Sequence, residues 1–190
     1  MKIALIDHHD SFTHNIAAWL SQDEKICINI FPYGDKFSLT NYDALVLSPG
    51  PKSPSDYPLS VELLHKKLGL PIFGICLGMQ MMLEAQGALI APYSPPLHGK
   101  DSILNILKAD PLFTNVSSLK VARYHSLIAK NIPPCFETLA LSPEGYTMAI
   151  LCEEKKQMGV QFHPESFLTT SSAILLKNLI NWINACQNLP

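Results

Sequence analysis

The chain has 190 residues, 47% of them hydrophobic, with 14 basic against 16 acidic side chains and a net charge of -2. That length suits one domain with a sizeable core and is too short for two well-packed ones, so a single domain over 1–190 is expected. The composition excludes a disordered chain, and no Lys/Arg cluster is available to track phosphates, so no nucleic-acid partner is expected.

The run Met1 to Asp7 is apolar but meets a charge too early for a signal peptide, and no apolar stretch reaches the roughly 18 residues of a membrane span. A soluble, cytoplasmic protein is expected, with no membrane partner. Cys27, Cys76, Cys135, Cys152 and Cys186 are odd in number, widely spread and without a C-x-x-C pair. Neither a disulfide framework nor a metal site fits that pattern.

In chain order, Lys2 to Asp7 reads as a buried strand. Ser11 can cap a helix running to about Gln22, with Phe12, Ile16, Ala17 and Leu20 facing inward. Ile26 to Phe31 and Ala44 to Ser48 are further strands, the second stopped by Pro49-Gly50-Pro51. Leu59 to Leu68 is a helix, Pro71 to Ile75 a strand, and Leu77 to Gln86 another helix. This alternation predicts an α/β fold with a mostly parallel central sheet and helices on both faces.

The second half changes character. Ser102 to Leu107, Leu119 to His125, Leu139 to Ser142, Thr147 to Cys152 and Met158 to His163 are short strand candidates separated by turns. Some must extend the main sheet, and the others suit a smaller antiparallel one. Ser171 to Cys186 closes the chain as an amphipathic helix.

In parallel sheets chemistry collects beyond the carboxyl ends of strands. Asp7, Ser48-Pro49-Gly50 and Cys76 all fall there. The run Gly74-Ile75-Cys76-Leu77-Gly78 has the layout of a nucleophile elbow with cysteine in place of serine. Free N–H groups at the following helix start favour a thiolate and can hold an oxyanion. A base is available in Gln161-Phe162-His163-Pro164-Glu165. Glu165, two positions after His163, can orient the imidazole, so Cys76, His163 and Glu165 form a candidate triad. The Gly50 and Leu77 N–H groups are candidate oxyanion donors. Arg123-Tyr124-His125-Ser126-Leu127 puts polar groups at another strand end, where an edge strand of mixed exposure explains them equally well.

These residues resemble the class I (triad) glutamine amidotransferases. Gly74 to Gln80 is similar to that family's nucleophile motif and His163-Pro164-Glu165 to its base motif. Asp10-Ser11-Phe12-Thr13, Ser48-Pro49-Gly50-Pro51, His98-Gly99-Lys100, Arg123 to Leu127 and His163 to Ser166 occur together in the branch containing the glutaminase subunits of anthranilate synthase and aminodeoxychorismate synthase. The matches run in order from Asp7 to about Thr169. The resemblance implies a flavodoxin-like fold and hydrolysis of L-glutamine to glutamate and ammonia.

By the same resemblance, Gly50, Pro51, Lys52, Gln80, Ser126 and Leu127 would hold the glutamine. Ammonia would pass to a separate, larger chorismate-binding synthase subunit. No cofactor is implied in this chain; the partner would use Mg2+. The residues also leave open another cysteine hydrolase, such as a γ-glutamyl peptidase, or a regulatory subunit whose site has decayed.

Several positions depart from the family pattern. Lys52 stands where Gly is usual, tolerable if φ stays negative and straining otherwise. Met79 replaces a common histidine, with an effect expected on packing or a subunit interface. His8 and His9 replace Asn and Tyr beside the site, where partner contact or local pH sensitivity could change. His14 replaces a tyrosine.

Overall fold

The computed structural model describes residues 1–94 and 99–188. His98, part of one quoted motif, lies outside them. The first half builds β1 (Lys2–Asp7), α1 (Thr13–Leu20), β2 (Cys27–Pro32), β3 (Ala44–Leu47), α2 (Pro58–His65), β4 (Ile72–Ile75) and α3 (Leu77–Glu84). One 3-10 turn, Pro54–Asp56, precedes α2. The second half adds β5 (Ile90–Pro92), β6 (Lys100–Ile103), β7 (Asn105–Ile106), β8 (Lys120–Arg123) and β9 (Leu127–Ala129). It ends with β10 (Glu137–Leu141), β11 (Thr147–Cys152), β12 (Gln157–Val160) and α4 (Ser172–Gln187).

Eight strands form one sheet in the order β2-β1-β3-β4-β12-β11-β10-β7. Pairings from β2 through β12 are parallel, and those from β12 to β7 are antiparallel. Along β1, Ile3 and Leu5 point into the core shared with α1 and α4, and Ala4 and Ile6 into the core shared with α2 and α3. Residues of one strand thus alternate between two helix layers, which explains why these strands read as unbroken apolar runs. Each fully buried aliphatic side chain contributes roughly 1.5–3 kcal/mol.

Two small antiparallel ribbons stand where one smaller sheet was expected: β5 with β9, and β6 with β8. The residues Tyr124-His125-Ser126 between β8 and β9 leave the ladder and line a cavity instead, which separates the ribbons. The three-residue strands β5 and β9 are too short to carry a period-2 signal and escaped the sequence reading.

Helix α1 also starts differently. It begins at Thr13 after Phe12, and Ser11 is exposed and does not cap it. The Asp10 carboxylate accepts the Phe12 N–H at 2.8 Å, and Asp7 Oδ1 accepts the Thr13 hydroxyl at 2.7 Å. Asp7, closing β1, and Asp10, after it, supply the side-chain acceptors at the helix start that Ser11 was expected to cap.

Candidate active site

Cys76 joins β4 to α3 with φ 53° and ψ −102°. A non-glycine residue with positive φ costs energy and persists only where its surroundings enforce it. Here the Cys76 N–H donates to Val160 O at 2.7 Å and its carbonyl accepts the Gln80 N–H at 3.1 Å, pinning both sides of the elbow. The close seating of α3 on the sheet depends on missing side chains. A Cβ on Gly159 would come 2.9 Å from Met79 Cγ, and one on Gly50 would come 2.6 Å from Leu77 Cδ2.

Strand β12 brings the base. It pairs in parallel with β4, Val160 opposite Ile75, so the chain leaving β12 emerges beside the residue leaving β4. Three residues on, His163 donates its N–H to Ala122 O at 3.1 Å and is anchored against β8. Its Nδ1 lies 2.6 Å from Glu165 Oε1, and both side chains are almost wholly buried. Its Nε2 is buried without a well-aligned partner among the described residues. Burial alone would strip the His163 proton; the nearby Cys76 sulfur and the Glu165 carboxylate outweigh it and raise the pKa to about 10. The rings of Phe12 and Tyr124 stand 5.3 and 5.2 Å from the imidazole and wall it from solvent.

A cavity of about 410 Å³ opens over the elbow. Every residue predicted from the resemblance to hold glutamine lines it: Gly50, Pro51, Lys52, Gln80, Ser126 and Leu127. Cys76 and Leu77 form its floor, although Cys76 is only 7% exposed. His163 and Glu165 lie behind that floor. Among the described residues neither the Gly50 nor the Leu77 N–H donates a hydrogen bond, so both are free for a ligand oxygen.

The departures resolve into distinct roles. Lys52 has φ 69°, the left-handed conformation that favours glycine, so the loop is strained. Met79 is fully buried between α3 and the sheet and acts in packing. His8 is buried too; its ring nitrogens bond Ser48 Oγ at 3.1 Å and Ser60 Oγ at 2.8 Å. Burial pushes its pKa down to about 4, so the ring is neutral across the physiological range. His9 lines the cavity, and His14 is exposed on α1.

The sequence reading passed over Gln161, whose amide Nε2 lies 3.4 Å from Cys76 Sγ. An amide ending a buried strand was the available signal. No group of three or more metal-ligating side chains gathers among the described residues, and no described helix is long and apolar enough to cross a membrane.

The family model "Glutamine amidotransferase class-I" matches residues 4–182. A Pseudomonas aeruginosa protein, "Anthranilate synthase component 2, pyocyanine specific", is 39% identical over 97% of this chain and 96% of its own length. The Bacillus subtilis "Aminodeoxychorismate/anthranilate synthase component 2" is 36% identical over 94% and 95%. Among solved structures, a glutamine amidotransferase from Thermotoga maritima superposes with a TM-score of 0.82 at 16% identity, covering 100% of this chain and 99% of its own, a likeness of fold. A family match spanning nearly the whole chain, joined to relatives of the same length well above 30% identity, makes this protein a member of the class I glutamine amidotransferases.

Proposed function

We propose that the chain is a glutaminase subunit that hydrolyses L-glutamine to glutamate and ammonia through Cys76, His163 and Glu165. The ammonia would serve a separate chorismate-using synthase subunit that makes anthranilate, 4-amino-4-deoxychorismate or both. The reading draws its main support from one observation. A strained cysteine elbow faces a cavity rimmed by free N–H groups, with an imidazole–carboxylate pair held behind the sulfur.

In this mechanism the Cys76 sulfur attacks the side-chain amide carbon of glutamine, and the oxyanion is held by the Gly50 and Leu77 N–H groups. His163, protonated at neutral pH, gives its proton to the departing nitrogen, and ammonia leaves. The resulting γ-glutamyl thioester is hydrolysed by a water that His163 deprotonates; the sulfur leaves as thiolate and His163 ends protonated, as it began. Glu165 keeps the ring oriented throughout. In this reading the protein works in the cytoplasm.

Cys76→Ala, assembled with the synthase subunit, tests the proposal. Glutamine-dependent product formation should vanish, and formation from added ammonium should persist. Retained glutamine use would refute the role of Cys76. Cleavage of γ-glutamyl peptides in preference to glutamine would favour a peptidase instead.

A further inference from the structure

Gln161 is 1% exposed and faces the nucleophile with an amide where an apolar side chain would fill the same space. A buried amide is tolerated only when its polar atoms are satisfied. Both of its heteroatoms are engaged. Nε2 donates to Cys76 Sγ at 3.4 Å, and Oε1 accepts from Gln80 Nε2 at 3.0 Å.

The polarity of this chain is set at the Leu127 carbonyl, which can only accept. Arg123 Nε donates to His125 Nε2 at 3.2 Å, so the proton of the neutral imidazole must sit on Nδ1. Nδ1 then donates to the Leu127 carbonyl at 3.0 Å. Burial and the adjacent guanidinium hold the pKa of His125 down at about 4, which preserves that tautomer. The same carbonyl accepts the second proton of the Gln80 amide at 3.2 Å. Gln80 therefore spends both N–H bonds on the protein, one on Leu127 and one on Gln161. Gln161 is left with only its own N–H to offer the sulfur. Arg123 is itself fully buried and anchored to Glu144 at 2.9 Å.

We propose that Gln161 is a positioning residue: its N–H holds the Cys76 sulfur in its attacking orientation, and Gln80 links that hold to the Leu127 carbonyl beside the substrate cavity. The chain ties the nucleophile and the Ser126-Leu127 segment into one hydrogen-bonded unit. A donor facing sulfur favours the thiolate, and losing such a bond to a charged atom is expected to cost about 10- to 100-fold. The other titratable groups facing the sulfur or the cavity are His163 and Glu165 after β12, Asp10 and His9 after β1, Lys52 after β3, and Tyr124 and His125 after β8.

The kinetic part of this inference rests on the proposed glutaminase reading, and the chemical part does not. The test follows alkylation of Cys76 by iodoacetamide across pH, read at that cysteine by peptide mass spectrometry, in wild type, Gln161→Met, Gln161→Glu and Gln80→Met. Gln161→Met should move the pH midpoint of alkylation up by about one unit, slowing the reaction about tenfold at pH values below the wild-type midpoint. Gln161→Glu should move it further, because a carboxylate repels the thiolate. In glutamine hydrolysis by the complex, Gln161→Met should lower kcat more than it raises KM. Gln80→Met, which also frees Leu127, should raise KM as well. A wild-type midpoint and wild-type kcat in folded Gln161→Met and Gln161→Glu would overturn the proposal, since a structural role alone moves only stability. Should the wild-type complex fail to hydrolyse glutamine while the midpoint still shifts, the glutaminase reading fails and the role of Gln161 stands.

Discussion

Gly74 on β4 and Gly78 on α3 touch backbone to backbone: a Cβ on Gly74 would lie 2.6 Å from the Gly78 carbonyl carbon. A Cβ on Gly78 would strike the Leu47 carbonyl oxygen and approach Leu47 Cβ to 2.8 Å. The helix behind Cys76 can therefore sit this close to β3 and β4 only without side chains. Gly78→Ala gains about 1 kcal/mol of helix propensity but costs about 3 kcal/mol in overpacking. The expected net loss is about 2 kcal/mol, measured by urea unfolding, with a larger relative loss of glutamine hydrolysis as the elbow is pushed out of register.

Glu165→Gln keeps the shape of the orienting residue and removes its charge. His163 would then lose one of the partners that raise its pKa above 6.5. The proton for the leaving nitrogen becomes scarcer at neutral pH, and kcat should fall by about 10²-fold, the low end of acid–base contributions. Because a raised histidine pKa stabilises the native state fully below pH 6.5 and is lost as pH climbs through about 10, the variant should also lose its stability at lower alkaline pH. Unfolding midpoints and pH–rate profiles of the assembled complex check both expectations.

Acid acts on His8 with the opposite sign. The native ring resists protonation until about pH 4, whereas the unfolded chain accepts a proton near 6.5. Above pH 6.5 the residue makes no pH-dependent contribution; as pH falls from there toward 4 the native state loses stability, by about 3 kcal/mol at most. His8→Asn cannot charge and should flatten this loss. Urea midpoints at about pH 7.5 and about pH 5 should differ less in the variant than in wild type.

Lys52 offers a stabilising change. Its φ of 69° carries a left-handed penalty of about 1–2 kcal/mol that glycine avoids, partly offset by the greater entropy of glycine when unfolded. Lys52→Gly should raise stability by up to about 1 kcal/mol, visible in the thermal midpoint. The same variant reports whether the lysine side chain at the cavity rim contributes to glutamine KM.

Much of this architecture is legible in the sequence. The runs at β1, β3 and β4 carry unbroken apolar residues because both sheet faces are covered, and Gly74 and Gly78 flank Cys76 because backbone must meet backbone there. The two-residue spacing of His163 and Glu165 was enough to bring carboxylate and ring together, since a short turn after a strand end spans that distance. These are local relationships, dictated by neighbours in the chain.

What lay beyond reach depends on partners far apart in the chain. The sequence offered His163 as the base for Cys76, but only the parallel register of β12 on β4 brings the two side by side. The left-handed turn at Lys52, the burial of His8 between Ser48 and Ser60, and the run from the Leu127 carbonyl through Gln80 and Gln161 to the sulfur arise likewise from elements converging in space. A glutamine or histidine has the same letter whether it faces water or a thiol; its hydrogen-bond partners and its desolvation, which set its chemistry, exist only once the chain has folded.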